Sequence, residues 1–187
     1  MIFAFSTSSP IVSVGVFDVE GTLLFSGERE SRQEASNACL ELLADSGFDV
    51  LAGTLFLADL GPGSFTGTRV GVTMAKTLAW SAGAYCGGAS AFDLISLDQT
   101  VVFPSKRGEW FIRPPGGEVA RSESLPDVGF VGFGPLVENP VFPHAERFVS
   151  LLNQVERIAP ETLVPLYLID PSISQPKQPL SRVGGST

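Results

Sequence analysis

The sequence predicts an α/β protein with a mixed sheet and helices, arranged as two lobes of which the second is reduced. Three observations favour this class. Short apolar runs at residues 1–5, 11–17 and 22–26 are separated by turn-like residues, a pattern typical of an antiparallel meander. Two helical patterns follow, with an apolar strand at residues 55–59 between them. Beyond residue 90 the pattern is irregular, which indicates a smaller second unit.

The composition limits the functions that the chain can have. Of its 187 residues 44% are hydrophobic and 17% charged, so it is long and apolar enough to bury a core. Its net charge is −8, whereas a protein that grips nucleic acid by itself needs a basic surface. We therefore expect only indirect contact with nucleic acid. Cys39 and Cys86 are too few for a disulfide framework or a metal cluster, and we expect a cytoplasmic location.

The first helix is predicted from its start signal and its spacing. Ser31 and Glu34 have the spacing of a capping box, in which each side chain satisfies a backbone donor of the other residue. Gly47 is a natural end for this helix. The apolar residues between these signals recur at helical spacing, and they are Ala35, Ala38, Cys39, Leu42 and Leu43.

The second helix, predicted over residues 66–82 and ended by Gly83, is apolar most of the way round. Only Arg69 and Lys76 carry charge on it. Such a helix is buried on more than one side. One side covers the sheet, and the other is covered either by the rest of this chain or by a partner.

The second half contains shorter predicted elements. Ser90 is placed to cap a short helix over residues 91–96, and strands at 101–103 and 110–113 flank a turn. A third helix is predicted over residues 145–158. An apolar stretch at 164–169 precedes a tail rich in Pro, Ser and Gln.

The loop between the strand at 55–59 and the second helix is rich in glycine. Its glycines allow positive φ or a close backbone approach, and the helix N-terminus beside them is able to hold an anion. Alternatively the glycines only make a tight turn. The spacing matches neither the dinucleotide fingerprint nor a Walker loop, and Ser64 lacks the flanking glycines of a nucleophile elbow.

This glycine loop resembles the signature of the TsaB (YeaZ) family. The matching residues are Gly61, Pro62, Gly63, Ser64, Phe65, Thr66 and Gly67, followed by Thr68, Arg69, Val70 and Gly71. Residues 1–9, 90–95, 106–111 and 164–168 are also similar to segments of that family. The resemblance is strong over residues 1–96 and patchy afterwards.

The resemblance implies an actin-like ATPase fold of the ASKHA, RNase H-like kind, which agrees with the predicted order of elements. It also implies a noncatalytic accessory subunit that pairs with a TsaD-like catalytic subunit through helices of the N-terminal lobe. With a TsaE-like ATPase, such proteins act in tRNA threonylcarbamoyladenosine modification of the adenosine beside the anticodon. Because an apolar helix without its partner is exposed, a homodimer of the isolated chain is also plausible.

We accordingly predict three regions of the chain. Residues 1–98 form an N-terminal lobe with the glycine loop and the partner-binding helices, residues 99–169 form the smaller second lobe, and residues 170–187 form a flexible tail. The residues predicted to lie at the partner interface are Cys39, Leu42, Val70, Val72, Met74, Ala75, Leu78 and Ala79.

Few residues favour an enzyme. Catalytic relatives hold a metal with paired histidines, whereas this chain has only His144, which we interpret as a solvated or helix-capping residue. Asp18, Asp59 and Asp93 are explained by turns, strand ends or caps, and Ser6 replaces the aspartate that the family usually has in its first turn. We therefore predict no catalytic residue, metal or cofactor, and we set a peptidase aside. The alternative is an actin-like-fold ATPase or kinase remnant that binds nucleotide at the glycine loop.

Overall fold

Two β-sheets form the frame of the protein in the computed structural model, which describes residues 1–31, 33–105, 108–127 and 129–168. The first sheet has the strand order β3-β2-β1-β4-β5, and the second has the order β8-β7-β6-β9. The strands of the first sheet are β1 Ile2–Ser6, β2 Ile11–Phe17, β3 Leu23–Glu30, β4 Leu55–Asp59 and β5 Tyr85–Ala89. Those of the second are β6 Thr100–Pro104, β7 Trp110–Arg113, β8 Ala120–Ser122 and β9 Phe130–Gly132.

The first sheet is mixed. Strand β1 pairs antiparallel with β2, and β2 pairs antiparallel with β3, which confirms the predicted meander. Strand β1 is parallel to β4, and β4 is parallel to β5. The parallel pairs need crossovers, and the chain supplies them with its helices.

Both α-helices cover the same face of the first sheet. They are α1, Ala35–Ser46, and α2, Phe65–Ala82, and each ends at a glycine in the left-handed conformation. The side chains of β1 alternate between the two faces, so Phe3 and Phe5 pack with the helices. Ile2 and Ala4 point to the other face, where a 3₁₀ helix, Ala145–Ser150, covers them. Strand β1 is thus buried on both sides.

The second sheet has a core of its own. Phe103 of β6 stacks on Phe133 and contacts Phe92 and Phe111. The buried side chains of residues 145–163 nevertheless pack on the first sheet. The boundaries of the lobes stay a prediction, and the tail at 170–187 lies outside the described residues.

The third predicted α-helix is wrong. Residues 145–150 form a 3₁₀ helix and turns follow it. Ala145, Phe148 and Leu151 are the buried residues, and they recur every third position, as the 3₁₀ period requires. Val149, which the α-helical pattern would bury, is 49% exposed.

Three smaller predictions also need correction. The helix predicted over residues 91–96 is absent, because residues 91–95 form successive turns, although Ser90 does accept a hydrogen bond from the backbone N–H of Asp93 at 3.2 Å. The predicted capping box is wrong, because α1 has Glu34 at its N-cap and no side-chain cap; the Ser31 hydroxyl accepts from the Glu34 N–H at 3.3 Å in the segment before the helix. The Ser31 N–H itself donates to the Pro10 carbonyl. Strands β5, β8 and β9 were not predicted.

Candidate functional site

The glycine loop leads from the end of β4 into α2. Gly61 has a φ of 83°, which favours glycine, and the Gly61–Pro62 peptide bond is cis. Ser64 then caps α2, because its hydroxyl accepts a hydrogen bond from the Gly67 N–H at 3.1 Å. The loop therefore sets where α2 begins.

The same loop packs tightly against the turn between β1 and β2 (residues 7–10, the β1–β2 turn). The Ser64 N–H donates to the Ser8 carbonyl at 2.7 Å. The Thr7 hydroxyl donates to the Gly67 carbonyl at 2.7 Å and accepts from the Gly71 N–H at 3.1 Å. A Cβ at Gly63 or Gly67 would overlap a backbone carbonyl oxygen of the turn. These glycines are thus required by a close approach of two backbone segments.

Asp59, the last residue of β4, is a fully buried carboxylate beneath this loop. It accepts hydrogen bonds from the Ser6 hydroxyl at 2.9 Å, the Ser8 hydroxyl at 2.5 Å and the Gly61 N–H at 2.8 Å. Burial raises the pKa of Asp59, and these hydrogen bonds oppose the rise. Asp59 therefore ties the β1–β2 turn to the glycine loop. From the sequence, Asp59 was predicted only to lie at the end of a strand. Its contacts with Ser6 and Ser8 were not predicted, because these residues lie about fifty positions away in the chain.

Ser6 has a structural role at the position where the family usually has aspartate. Its hydroxyl lies within hydrogen-bond distance of Asp59 and, at 3.1 Å, of the Pro143 carbonyl, so its single proton is shared between these two acceptors. The neighbouring Ser13 hydroxyl accepts from the Ala145 N–H at 2.9 Å. The returning segment near residue 144 is thereby fixed to the first sheet.

The other ionisable residues singled out in the sequence are explained by local structure. His144 caps the 3₁₀ helix, since its Nδ1 accepts from the Glu146 N–H at 3.2 Å, as predicted. Asp18 accepts from the Thr22 N–H in a turn, which lowers the pKa of Asp18. Asp93 pairs with Arg113. Within residues 1–31, 33–105, 108–127 and 129–168, no cluster of three His, Cys, Asp or Glu side chains is placed to hold a metal ion.

Both cysteines are buried thiols. Burial raises the pKa of Cys39 to about 12 and that of Cys86 to about 11. A thiol with such a pKa is protonated at neutral pH and is a weak nucleophile. Neither residue is suited to covalent catalysis.

Five of the residues predicted to lie at a partner interface are instead enclosed by this chain. They lie in the core between the helices and the first sheet, so they have almost no exposed surface with which a partner could make contact. These five residues are Cys39, Leu42, Val72, Ala75 and Ala79. Val70, Met74 and Leu78 are half-buried and stay candidates. We call Val72, Ala75 and Ala79 the inner face of α2.

The opposite side of α2 is open. Its exposed residues recur at intervals of one helical turn, and we call them the α2 outer face: Phe65, Arg69, Thr73, Thr77 and Trp80. Trp80 is 79% exposed, which is unusual for so large an apolar side chain. Beside this face lies a largely apolar groove of about 480 Å³ (the α1–α2 groove). It is lined by Ser36 of α1 and by Thr66, Arg69, Val70, Thr73, Met74 and Thr77 of α2.

The element order and the two sheets define an α/β protein with the actin-like ATPase fold. Its structural neighbours include YeaZ from Pseudomonas aeruginosa, with a TM-score of 0.70 and 19% identity over 89% of this chain and 99% of that one. A crystal structure titled as an uncharacterized protein with similarity to peptidase YEAZ from Pseudomonas aeruginosa has a TM-score of 0.68 and 20% identity. That match covers 90% of this chain and 99% of the other.

Sequence comparisons agree with this class. Residues 26–95 match the family model described as "TsaD: tRNA N6-adenosine threonylcarbamoyltransferase". The tRNA threonylcarbamoyladenosine biosynthesis protein TsaB of Bacillus subtilis (strain 168) is 38% identical over 56 residues. This match covers 26% of the chain and spans only 24% of the length of that relative. The resemblance to the TsaB (YeaZ) family is thus confirmed.

None of the helices in the described part of the chain is long and apolar enough to cross a membrane.

Proposed function

We propose that this protein is a noncatalytic accessory subunit in tRNA threonylcarbamoyladenosine biosynthesis. It pairs with a TsaD-like catalytic subunit through the α2 outer face and the α1–α2 groove. The name of the Bacillus subtilis relative supports the pathway, and the open side of α2 supports the pairing.

The observation that carries the pairing is the contrast between a closed and an open side of one helix. The half-buried Val70 and Met74 line an apolar groove that ends at Thr77, and the exposed Trp80 lies one turn further along α2. Leu40 of α1, at 53% exposure, adds apolar surface on the neighbouring helix. Exposed aromatic and apolar side chains that border a groove are typical of protein interfaces.

The packing of the glycine loop favours this role over a nucleotide site. Anion binding at a helix N-terminus needs free backbone N–H groups. Here the N–H groups of Gly61, Ser64 and Gly67 already donate to acceptors of this chain. An anion binds these three N–H groups only if they give up these hydrogen bonds.

The remaining partners follow from the same role. A TsaE-like ATPase joins the larger complex, and tRNA is held by other subunits because this chain has a net charge of −8. Without its partner, the α2 outer face is available for a homodimer.

Co-elution with a purified TsaD-like subunit tests the pairing. Trp80→Glu places a charge on the α2 outer face and is expected to abolish co-elution without lowering the melting temperature, since Trp80 is exposed. Val149→Glu is the matched control, because Val149 is also exposed but lies on the segment that covers the opposite face of the first sheet. Co-elution of Trp80→Glu at the wild-type level would overturn the proposed interface.

Calorimetric titration of the isolated protein with ATP separates the two functions. An accessory subunit without a nucleotide site gives no saturable binding. Saturable binding of ATP with release of ADP would favour the remnant ATPase instead.

A further inference from the structure

We propose that Arg69 is the polar recognition point of the interface and that it pairs with a carboxylate on the partner's docking helix. This inference rests on the proposed function, because it assumes that a partner helix lies along the α2 outer face. It adds the chemistry of that partner: an amphipathic helix with one Asp or Glu among its apolar contact residues.

Arg69 has no carboxylate within ion-pair distance among the residues that the structure describes. Arg29 pairs with Glu41 and Asp45, Arg113 with Asp93, and Arg121 with Glu109, whereas Arg147 and Arg157 resemble Arg69 in having no such partner among the described residues. The guanidinium of Arg69 instead lies over the ring of Phe65, 5.1 Å from its centroid. Its charge is therefore left without a counter-charge at the surface.

The position of Arg69 along α2 is not one that the helix dipole favours. It lies just after the first turn of the helix, whereas the dipole favours cations at the opposite end. Its contact with the Phe65 ring stabilises α2 slightly but leaves the positive charge without a counter-charge. Because Arg69 also lines the α1–α2 groove, we assign it a role in recognition.

Arg69 is the one cationic side chain that lines this groove, whose other residues are apolar or carry hydroxyl groups. A partner that fills the groove removes water from around the guanidinium. Ion pairs with a carboxylate are stronger there than on an open surface, and arginine forms them with two parallel hydrogen bonds. Phe65 holds the guanidinium plane in place before the partner arrives.

The dimensions of the face set the length of the partner segment. Helix α2 has 18 residues and is therefore about 27 Å long. A docking helix of similar length would contact Trp80 near one end and place its carboxylate near the other, opposite Arg69.

Dissociation constants with the TsaD-like subunit test the inference at low and high salt. Arg69→Glu is expected to weaken binding at least about tenfold at low salt, and Arg69→Lys by less, because lysine keeps the charge but not the planar pair of donors. Arg121→Glu, an exposed site in the second sheet, is the matched control and leaves the dissociation constant unchanged. The effect of Arg69→Glu shrinks at high salt.

The melting temperature of Arg69→Glu separates recognition from a purely structural role. If Arg69 only stabilised the fold, the substitution would lower the melting temperature. Arg69→Glu loses the contact with the Phe65 ring but places a negative charge near the N-terminal end of α2, so the melting temperature should change little. Weaker binding together with an unchanged or raised melting temperature supports recognition, and recovery of binding by reversing one carboxylate of the partner identifies the pair.

Two outcomes overturn the inference in distinguishable ways. If Arg69→Glu binds like wild type while Trp80→Glu does not, the carboxylate pairing is wrong and the interface stands. If the wild-type protein forms no complex at all, the proposed function and this inference both fail.

Discussion

The two faces of α2 differ in burial although they belong to one apolar helix. The inner face, Val72, Ala75 and Ala79, packs on the first sheet and has no surface left. The outer face, two residues away along the same turns, exposes Thr73, Thr77 and Trp80. The difference shows that the two sides of an apolar helix can have different roles: one side stabilises the fold, and the other is available for association.

The largest effect is expected from a charge on the inner face. Ala75→Glu buries a carboxylate without a partner and should reduce the free energy of unfolding by about 4 kcal/mol or more. Thr77→Glu, two residues further along on the outer face, should change it by less than about 0.5 kcal/mol. Denaturation with urea measures both, and equal effects would remove the distinction between the two faces.

A smaller loss of stability is expected where the glycine loop positions α2. Asp59→Ala leaves the Ser8 hydroxyl and the Gly61 N–H without their acceptor, whereas the Ser6 hydroxyl keeps the Pro143 carbonyl; the loss should cost about 3 kcal/mol. Ser90→Ala removes two hydrogen bonds between Ser90 and Asp93 at a partly buried turn; it is the control and should cost about 1 kcal/mol. If Asp59→Ala melts like wild type, the carboxylate does not hold the loop.

The pH dependence of stability tests the state of the same carboxyl group. Because burial raises the pKa of Asp59 in the folded protein, the folded state binds its proton more tightly than the unfolded state. The stability contributed by this proton is complete below the unfolded pKa and is lost as pH rises through the folded pKa. Wild type should therefore lose stability relative to Asp59→Asn as pH rises from about 4. A difference that is constant with pH would contradict the raised pKa.

Much of the fold was predictable because its signals are local. The strands of the meander follow from apolar runs, and the ends of α1 and α2 follow from Gly47 and Gly83. Strand β5 was not predictable in this way, since its sequence Tyr-Cys-Gly-Gly-Ala has weak strand propensity. Its glycines are explained only by the fold: a Cβ at Gly87 would overlap Val155, which returns from the far end of the chain.

The candidate site shows the same limit. The sequence predicted that α2 is apolar on two sides, but it did not show which side faces the sheet. Val72 and Ala75 were therefore assigned to a partner although the sheet covers them. Asp59 was overlooked as a link because its contacts with Ser6 and Ser8 join distant positions. These contacts result from the pairing of β1 with β4, which no local motif in the sequence predicts.

The most direct test of the central claim is the reactivity of a cysteine on the α2 outer face. Cys39 and Cys86 are buried and have raised pKa values, so Thr73→Cys introduces the only readily alkylated thiol among the described residues. The TsaD-like subunit should slow its alkylation at least about tenfold while leaving Val149→Cys unaffected. A complex that forms while Thr73→Cys reacts at its free rate would show that the partner binds elsewhere.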